Sequence, residues 1–310
     1  MAISAADVKQ LREMTGVGMM DCKKALTENN GDIDAAVDWL RTRGLAKAAK
    51  KAGRVAAEGL VGVASDGARA AVVEVNSETD FVARNEDFQN LVSTIATLSL
   101  DADGNVEKLG GLDFPGTGRT VSEELVEAIG KIGENMTLRR TAAISVSDGV
   151  VGSYVHSAAA EGLGRIGVLV GLESTGDKAA LSALGKQLAM HVAAASPSPL
   201  AITPDELDAD FVAKEREVFK EQAIESGKPA EIAEKMVEGR MRKLYEEVCL
   251  LSQTFVIDGE TKIADAIKAA EKDVGAPIKL TAFERFAIGE GIEKEESDFA
   301  AEVAATAGAS

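Results

Sequence analysis

The stretch "RAAVVEVNSETDFVARN", Arg69 to Asn85, passes from an apolar run into polar turn residues and there sets an acid beside an aromatic, Asp80 and Phe81. On a turn these two can act together on a partner, the ring as a stiff body that displaces its neighbours and the carboxylate as a charge beside it. The alternative is packing: Phe81 opens the helix that follows and turns inward, as phenylalanine mostly does. Spacing alone leaves both readings open. With nine Phe, two Tyr and one Trp in 310 residues, an aromatic beside a loop calls for a reason.

Met19 and Met20 pose the same question after "TGVG", Thr15 to Gly18. Adjacent helical residues point about 100° apart, so at most one of them faces a helical core squarely. The other is left for a partner, and methionine suits adaptable contacts.

Bond-making chemistry has little to stand on. "GLGRIG", Gly162 to Gly167, matches GxGxxG. A dinucleotide site needs those glycines after a strand and at the head of a helix, whereas here they precede the apolar run "VLVGL", so the stretch reads as a hairpin loop. No GxxxxGK[ST] occurs. His191 lies in the helical apolar segment "LAMHVAAA", where packing is expected, and His156 lies near a strand end, open to solvent. Neither brings the partners that a catalytic dyad or a hydrolytic metal site needs. Cys22 and Cys249 lack CxxC spacing, so neither a zinc site nor a disulfide framework is expected. The reading is a protein that is not an enzyme and uses no cofactor and no metal.

Charge narrows the partners. Fifty-one Asp and Glu against thirty-four Lys and Arg give a formal charge of -17, which opposes direct binding to nucleic acid or to an anionic membrane. The opening "MAISAADVKQLREMTG" has no basic region ahead of an apolar one, and no window reaches the roughly 18 apolar residues of a membrane span. A cytoplasmic location is expected.

The elements that must position these residues follow from periodicity. Ser4 caps a helix with Val8, Leu11 and Met14 at helical spacing; "TGVG" breaks it and "MMDCKKALTEN" resumes it. Asn30-Gly31 ends the second helix, and Asp32 caps a third with Ile33, Val37 and Leu40 on one face. "LAKAAKKAGRVAAEG" reads as a helical or mobile tether. A faint repeat follows, each half a hairpin and then a helix. Aligning Arg69 with Arg165 sets Phe88 opposite Leu184 and Val92 opposite Leu188. "TLRRTAAISVS" and "QTFVID" are further strand candidates, one per half. Between them "SPSPLAITPDEL" breaks the pattern, and an antiparallel helical hairpin is expected, with Leu207, Phe211 and Val218 on one stripe and Ile232, Met236, Met241, Leu244 and Val248 on the returning one. Its slender shape leaves apolar surface that suits a second copy or another protein. The end reads as a strand, a Gly-containing turn and an acidic-capped helix carrying Phe299 and Val303.

Seven segments in order, "LREMTGVGMMDCKKAL", "VNSETDFVARN", "KIGENMTLRR", "GRIGVLV", "AMHVAAASP", "EKMVEGRM" and "GEGIEKEESDFAAEV", resemble the bacterial elongation factor Ts family across nearly the whole chain. The resemblance implies an α+β fold in five parts: a three-helix module of ubiquitin-associated type (1–54), two related α+β subdomains with antiparallel sheets (55–148, and 149–200 with 249–288), an inserted helical hairpin (201–248) and a C-terminal helical module (289–310). It implies guanine-nucleotide exchange on elongation factor Tu in translation elongation. By motif position it assigns Asp80 and Phe81, with Thr79 and Val82 around them, to intrusion near the magnesium site of Tu. Arg12, Met19 and Met20 are assigned to docking on the GTPase domain, and His156 to contact with the far domain. The loop around His156, "HSAAAEGLG", is longer than the family's usual form.

Overall fold

The computed structural model describes residues 3–15, 17–227 and 229–293. Three helices come first: α1 (Ala5–Thr15), α2 (Met19–Glu28) and α3 (Ile33–Lys51). Ser4 and Asp7 bond each other's backbone N–H at the head of α1, and Asp32 accepts from Ala35 N–H at 2.9 Å at the head of α3, satisfying donors that a helix start leaves free. Leu11, Cys22, Ala25, Leu26 and Ala36 close the small core between them. Met14, expected on that inner stripe, lies in the last turn of α1 and is 57% exposed. The tether that begins at Leu45 is helical as far as Lys51, as part of α3.

Next come β1 (Glu58–Ser65), β2 (Arg69–Ser77), α4 (Glu86–Ser99), α5 (Val106–Gly111), the two-residue strands β3 (Asp113–Phe114) and β4 (Arg119–Thr120), α6 (Val121–Ile132) and β5 (Met136–Ser145). After β6 (Gly149–His156), β7 (Leu163–Gly164) and β8 (Ile166–Glu173) follow α7 (Lys178–Ala194), the paired helices α8 (Ala209–Glu225) and α9 (Ala230–Val248), then α10 (Ile263–Val274) and β9 (Lys279–Ala287). The fold is α+β, with every strand ladder among the described residues antiparallel.

Two sheets, ordered β5-β2-β1-β7 and β6-β8-β9, lie face to face. Val61, Val72, Ile144, Val151, Leu169 and Phe286 fill the space between them. The outer face of the first sheet is covered by α4, α5 and α6 through Phe88, Val92, Leu109 and Leu125. The outer face of the second is covered by α7 and α10 through Leu181, Leu184, Leu188 and Ile267. The strand sequences state this layering: in β8, Val168, Val170 and Leu172 face the helices while Gly167, Leu169 and Gly171 face the other sheet. A Cβ on Gly167 would come within 2.7 Å of Val61, so glycine there lets the sheets approach.

Two expectations fail for identifiable reasons. "QTFVID" is not a strand. Its backbone closes a local loop, Phe255 N–H to Thr261 O at 2.7 Å and Gly259 N–H to Phe255 O at 2.8 Å, while Asp258 accepts from the N–H of Glu260 and Thr261. β9 takes the third place in that sheet instead. In α8 the inward stripe is Val212, Phe219 and Ala223, facing Val237, Met241 and Leu244, and Val218 is exposed. The apolar pairs Phe211-Val212 and Val218-Phe219 fit either helical phase, and packing against α9 selects the second. Ile232, also placed on the stripe, is exposed. The helix expected around Phe299 and Val303 lies outside the described residues. No helix among the described residues is long and apolar enough to cross a membrane.

Candidate partner-binding site

The connection from β2 to α4, residues 78–85, carries the acid and the ring. Phe81 is 75% exposed, so the packing alternative is overturned. It is held out because the residues that follow it are committed inward. Val82 is buried in the core under the first sheet, Ala83 packs beside it, and Val82–Arg84 form a single 3-10 turn. Asn85 then accepts from Phe88 N–H at 3.0 Å and caps α4. Val82 is therefore an anchor of the turn within this chain. Asp80 is exposed and 3.6 Å from Arg84, a solvent-screened pair.

The other flank is clamped from a distance in sequence. Glu134 accepts from both donors of Thr79, the N–H at 2.9 Å and the hydroxyl at 2.7 Å. The carbonyl of Thr79 accepts from Ser77 Oγ at 3.0 Å. Next to it, Glu78 accepts from Asn135 N–H at 2.5 Å and faces Arg54 at 3.4 Å. Charge-assisted bonds of this kind are about twice as strong as neutral ones.

The turn that supplies Glu134 and Asn135 also holds the helical module. It follows the left-handed Gly133 that ends α6, and Lys51 of α3 donates to the Gly133 carbonyl. Asn135 Nδ2 donates to the carbonyl of Arg54 at 2.7 Å. Where α3 crosses α6, a Cβ on Gly130 would lie 3.2 Å from the Cα of Gly44, so the crossing brings two backbones together. Arg12 and Met14 at the end of α1, and Met19 (56% exposed) and Met20 (77% exposed) at the start of α2, flank the break between those helices. Neither adjacent methionine is spent on the core. Met14 joins them as an exposed apolar side chain that periodicity had placed inside.

His156 stands apart, exposed at the end of β6 with Nδ1 3.2 Å from the Tyr154 hydroxyl. The long loop after it folds back on the first sheet: Leu163–Gly164 pair with β1, and Leu163 is buried with α4. Among the described residues no hydrogen bond joins His156 to the Asp80-Phe81 turn.

Two buried titratable groups serve the frame. Glu74 lies fully buried between the sheets. Burial raises its pKa, but bonds from Gly289 N–H, Arg140, Asn76 and Arg139 outweigh that and hold it below the usual value. His191 is buried and held below its usual pKa by burial, against an opposing bond to Gln253 at 2.9 Å. Its Nδ1 accepts from Val256 N–H at 3.2 Å, which places the proton on Nε2. Cys22 and Cys249 are buried free thiols, and among the described residues no group of three His, Cys, Asp or Glu can hold a metal ion.

Glu78, Glu134 and Asn135 escaped sequence reasoning. They lie inside two of the family-like segments, "VNSETDFVARN" and "KIGENMTLRR", but nothing local joins them, since their pairing spans more than fifty residues.

Comparison with known proteins matches residues 78–290 to the family model described as Elongation factor TS. Over 98% of both chains the sequence is 62% identical to Elongation factor Ts of Parvibaculum lavamentivorans. It is 62% identical to that of Rhodospirillum centenum over 99% of both, and 60% identical to that of Rhizobium etli over 98% of both.

Proposed function

The chain belongs to the elongation factor Ts family, and we propose that it is the guanine-nucleotide exchange factor for elongation factor Tu in translation elongation, working in the cytoplasm. It binds Tu·GDP, promotes GDP release and leaves Tu ready for GTP. The observation that carries the reading is a phenylalanine 75% exposed on a turn whose two flanks are fixed. What supports a receiving partner is less the exposure than the fixing: a stiff aromatic body held out between two anchored flanks is suited to enter one.

The physics of exchange follows from that ring. Entering a packed interior, it must displace what is there, because interiors have no spare volume. Near the magnesium site of Tu, displacement shifts the groups that hold the ion's coordinating waters, and the ion is what neutralises the diphosphate. Asp80 adds a negative charge beside the ring. Burying one phenylalanine offers about 1.5–3 kcal/mol, and each tenfold weakening takes about 1.4 kcal/mol, so the wedge accounts for about one to two decades. The rest comes from separate contacts: the three-helix module, of ubiquitin-associated type, docks the GTPase domain through Arg12, Met19 and Met20, and the second subdomain meets the far domain of Tu through the region of His156. The hairpin of α8 and α9 is the surface assigned to a second copy of the chain. By linkage, the factor by which this protein weakens GDP on Tu is the factor by which GDP weakens this protein on Tu. GTP supply then sets the direction. No bond is made or broken, and the protein acts without a cofactor of its own.

The test is stopped-flow release of fluorescent GDP from the cognate Tu. Addition of this chain is expected to raise the rate in proportion to concentration and then saturate. Binding with an unchanged release rate would instead make the chain a scaffold.

A further inference from the structure

The wedge needs a support, and its identity is not given by membership of the family. A ring that transmits force must not swing back when it meets resistance. The 3-10 turn holds one end of residues 78–85 through Val82. At the other end three hydrogen bonds lead out of the local sequence to the turn 133–135 at the end of α6, and Glu78 also meets Arg54. That same turn receives Lys51 and holds the Arg54 carbonyl of the segment leaving α3. The acid-and-ring turn and the helical module, which also meet directly where Arg54 faces Glu78 at 3.4 Å, are thus both fastened to one short piece of backbone.

We propose that Glu134 is the positioning residue of the exchange wedge, fixing Asp80 and Phe81 through its two bonds to Thr79 in register with the docked helical module; this rests on the exchange-factor reading above. A carboxylate suits the task chemically. It is acceptor-only and has two oxygens, so one group takes both the N–H and the hydroxyl of Thr79 and leaves a single orientation of that peptide. Glutamine at 134 keeps an acceptor for the N–H and can turn its NH2 to the hydroxyl oxygen of Thr79, so both contacts survive as neutral and weaker bonds. Alanine gives up both. Glu134 does not itself have to meet the partner, and its effect is felt through the turn it positions, above all through the ring.

That last property separates positioning from general stabilisation, and a double-mutant cycle measures it. The rate of GDP release from Tu is followed against concentration for wild type, Glu134→Gln, Glu134→Ala, Phe81→Ala and the Glu134→Ala/Phe81→Ala pair, with thermal midpoints of all five. Expected is a loss of about tenfold in the saturating release rate for Glu134→Ala and a smaller loss for Glu134→Gln, with half-saturating concentrations within about twofold of wild type. In the Phe81→Ala background the Glu134→Ala change is expected to cost little further. Equal loss in both backgrounds would overturn the proposal, as would full activity of Glu134→Ala beside an impaired Phe81→Ala. If alanine at 134 lowers the thermal midpoint, the comparison is made with the glutamine variant, paired in the same way. Wild type that fails to accelerate release would instead sink the exchange reading itself, so the two failures are told apart.

Discussion

The two halves of the molecule share a plan and differ at one connection. In each, a hairpin (β1-β2, β6-β8) gains a later strand (β5, β9) at the edge of its second strand and is covered by the helix that follows (α4, α7). Both helices are capped alike, by Asn85 to Phe88 N–H and by Asp177 to Ala180 N–H. Between strand and helix the first half has residues 78–85, with Phe81 held into solvent. The second has only 174–177, pressed down so closely that a Cβ on Gly176 would lie 2.2 Å from the carbonyl of Val274. The same layered frame can therefore either seal that corner or raise a tool from it. The two corners differ by a few residues and by the bonds from Glu134 to Thr79.

If this contrast carries function, truncating the raised connection must cost activity and truncating the sealed one must not. Phe81→Ala is expected to lower the stimulated release rate by about one to two decades at an unchanged thermal midpoint. Thr175→Ala, at an exposed position of the sealed turn, is expected to match wild type in the same assay. The reverse holds for stability. Gly176→Ala is expected to cost about 1–3 kcal/mol in denaturant unfolding, since backbone must move to admit the methyl group. Asp80→Ala is expected to stay within about 0.5 kcal/mol of wild type.

A third, smaller effect tests the link between turn and helical module. Gly130→Val forces α3 away from α6 at the Gly44 crossing. Half-saturation in the release assay is expected to rise about fivefold, near 1 kcal/mol, while the saturating rate is largely kept. Loss of the saturating rate alone would show that the module's placement does not govern capture.

The smallest effect is on pH dependence, where the halves again differ. His191 in the second half is held below its unfolded pKa of 6.5, so the unfolded chain takes up the proton first. Its share of stability is present above that value and falls as pH drops through the window below it. Glu74, between the sheets, is also held below its unfolded value, 4.5, and its contribution is lost only on further acidification. Unfolding midpoints measured from about pH 7 to about pH 5.5 are expected to decline less steeply in His191→Asn than in wild type. Parallel curves would remove His191 from the account.

Much of the frame is legible in the order of the residues alone. Central strands such as Ala70 to Val75, buried on both faces, announce themselves as apolar runs, and the caps at Asp32 and Asn85 lie where local chemistry puts them. Matching Phe88 with Leu184 and Val92 with Leu188 finds residues that do the same packing in each half. What local pattern missed was settled by tertiary partners. The phase of α8 depended on α9, and the fate of "QTFVID" on Asp258 and Gln253 bonding nearby backbone and on β9 arriving from later in the chain. At the site, sequence could set Asp80 beside Phe81 but not turn the ring outward. The ring stands out between Val82, buried on one side, and Thr79, bonded on the other by Glu134 across residues whose spacing carries no period.

The central claim is that the ring of Phe81 enters Tu beside its magnesium site. Its most direct test replaces Phe81 with the photoreactive p-benzoylphenylalanine, irradiates the complex with Tu and maps the crosslinked peptide by mass spectrometry. The adduct is expected in the GTPase domain, on a segment that borders the magnesium site, and is expected to be lost when GDP is in large excess. An adduct confined to this chain, or to a domain of Tu far from the nucleotide, while exchange proceeds, would contradict the claim.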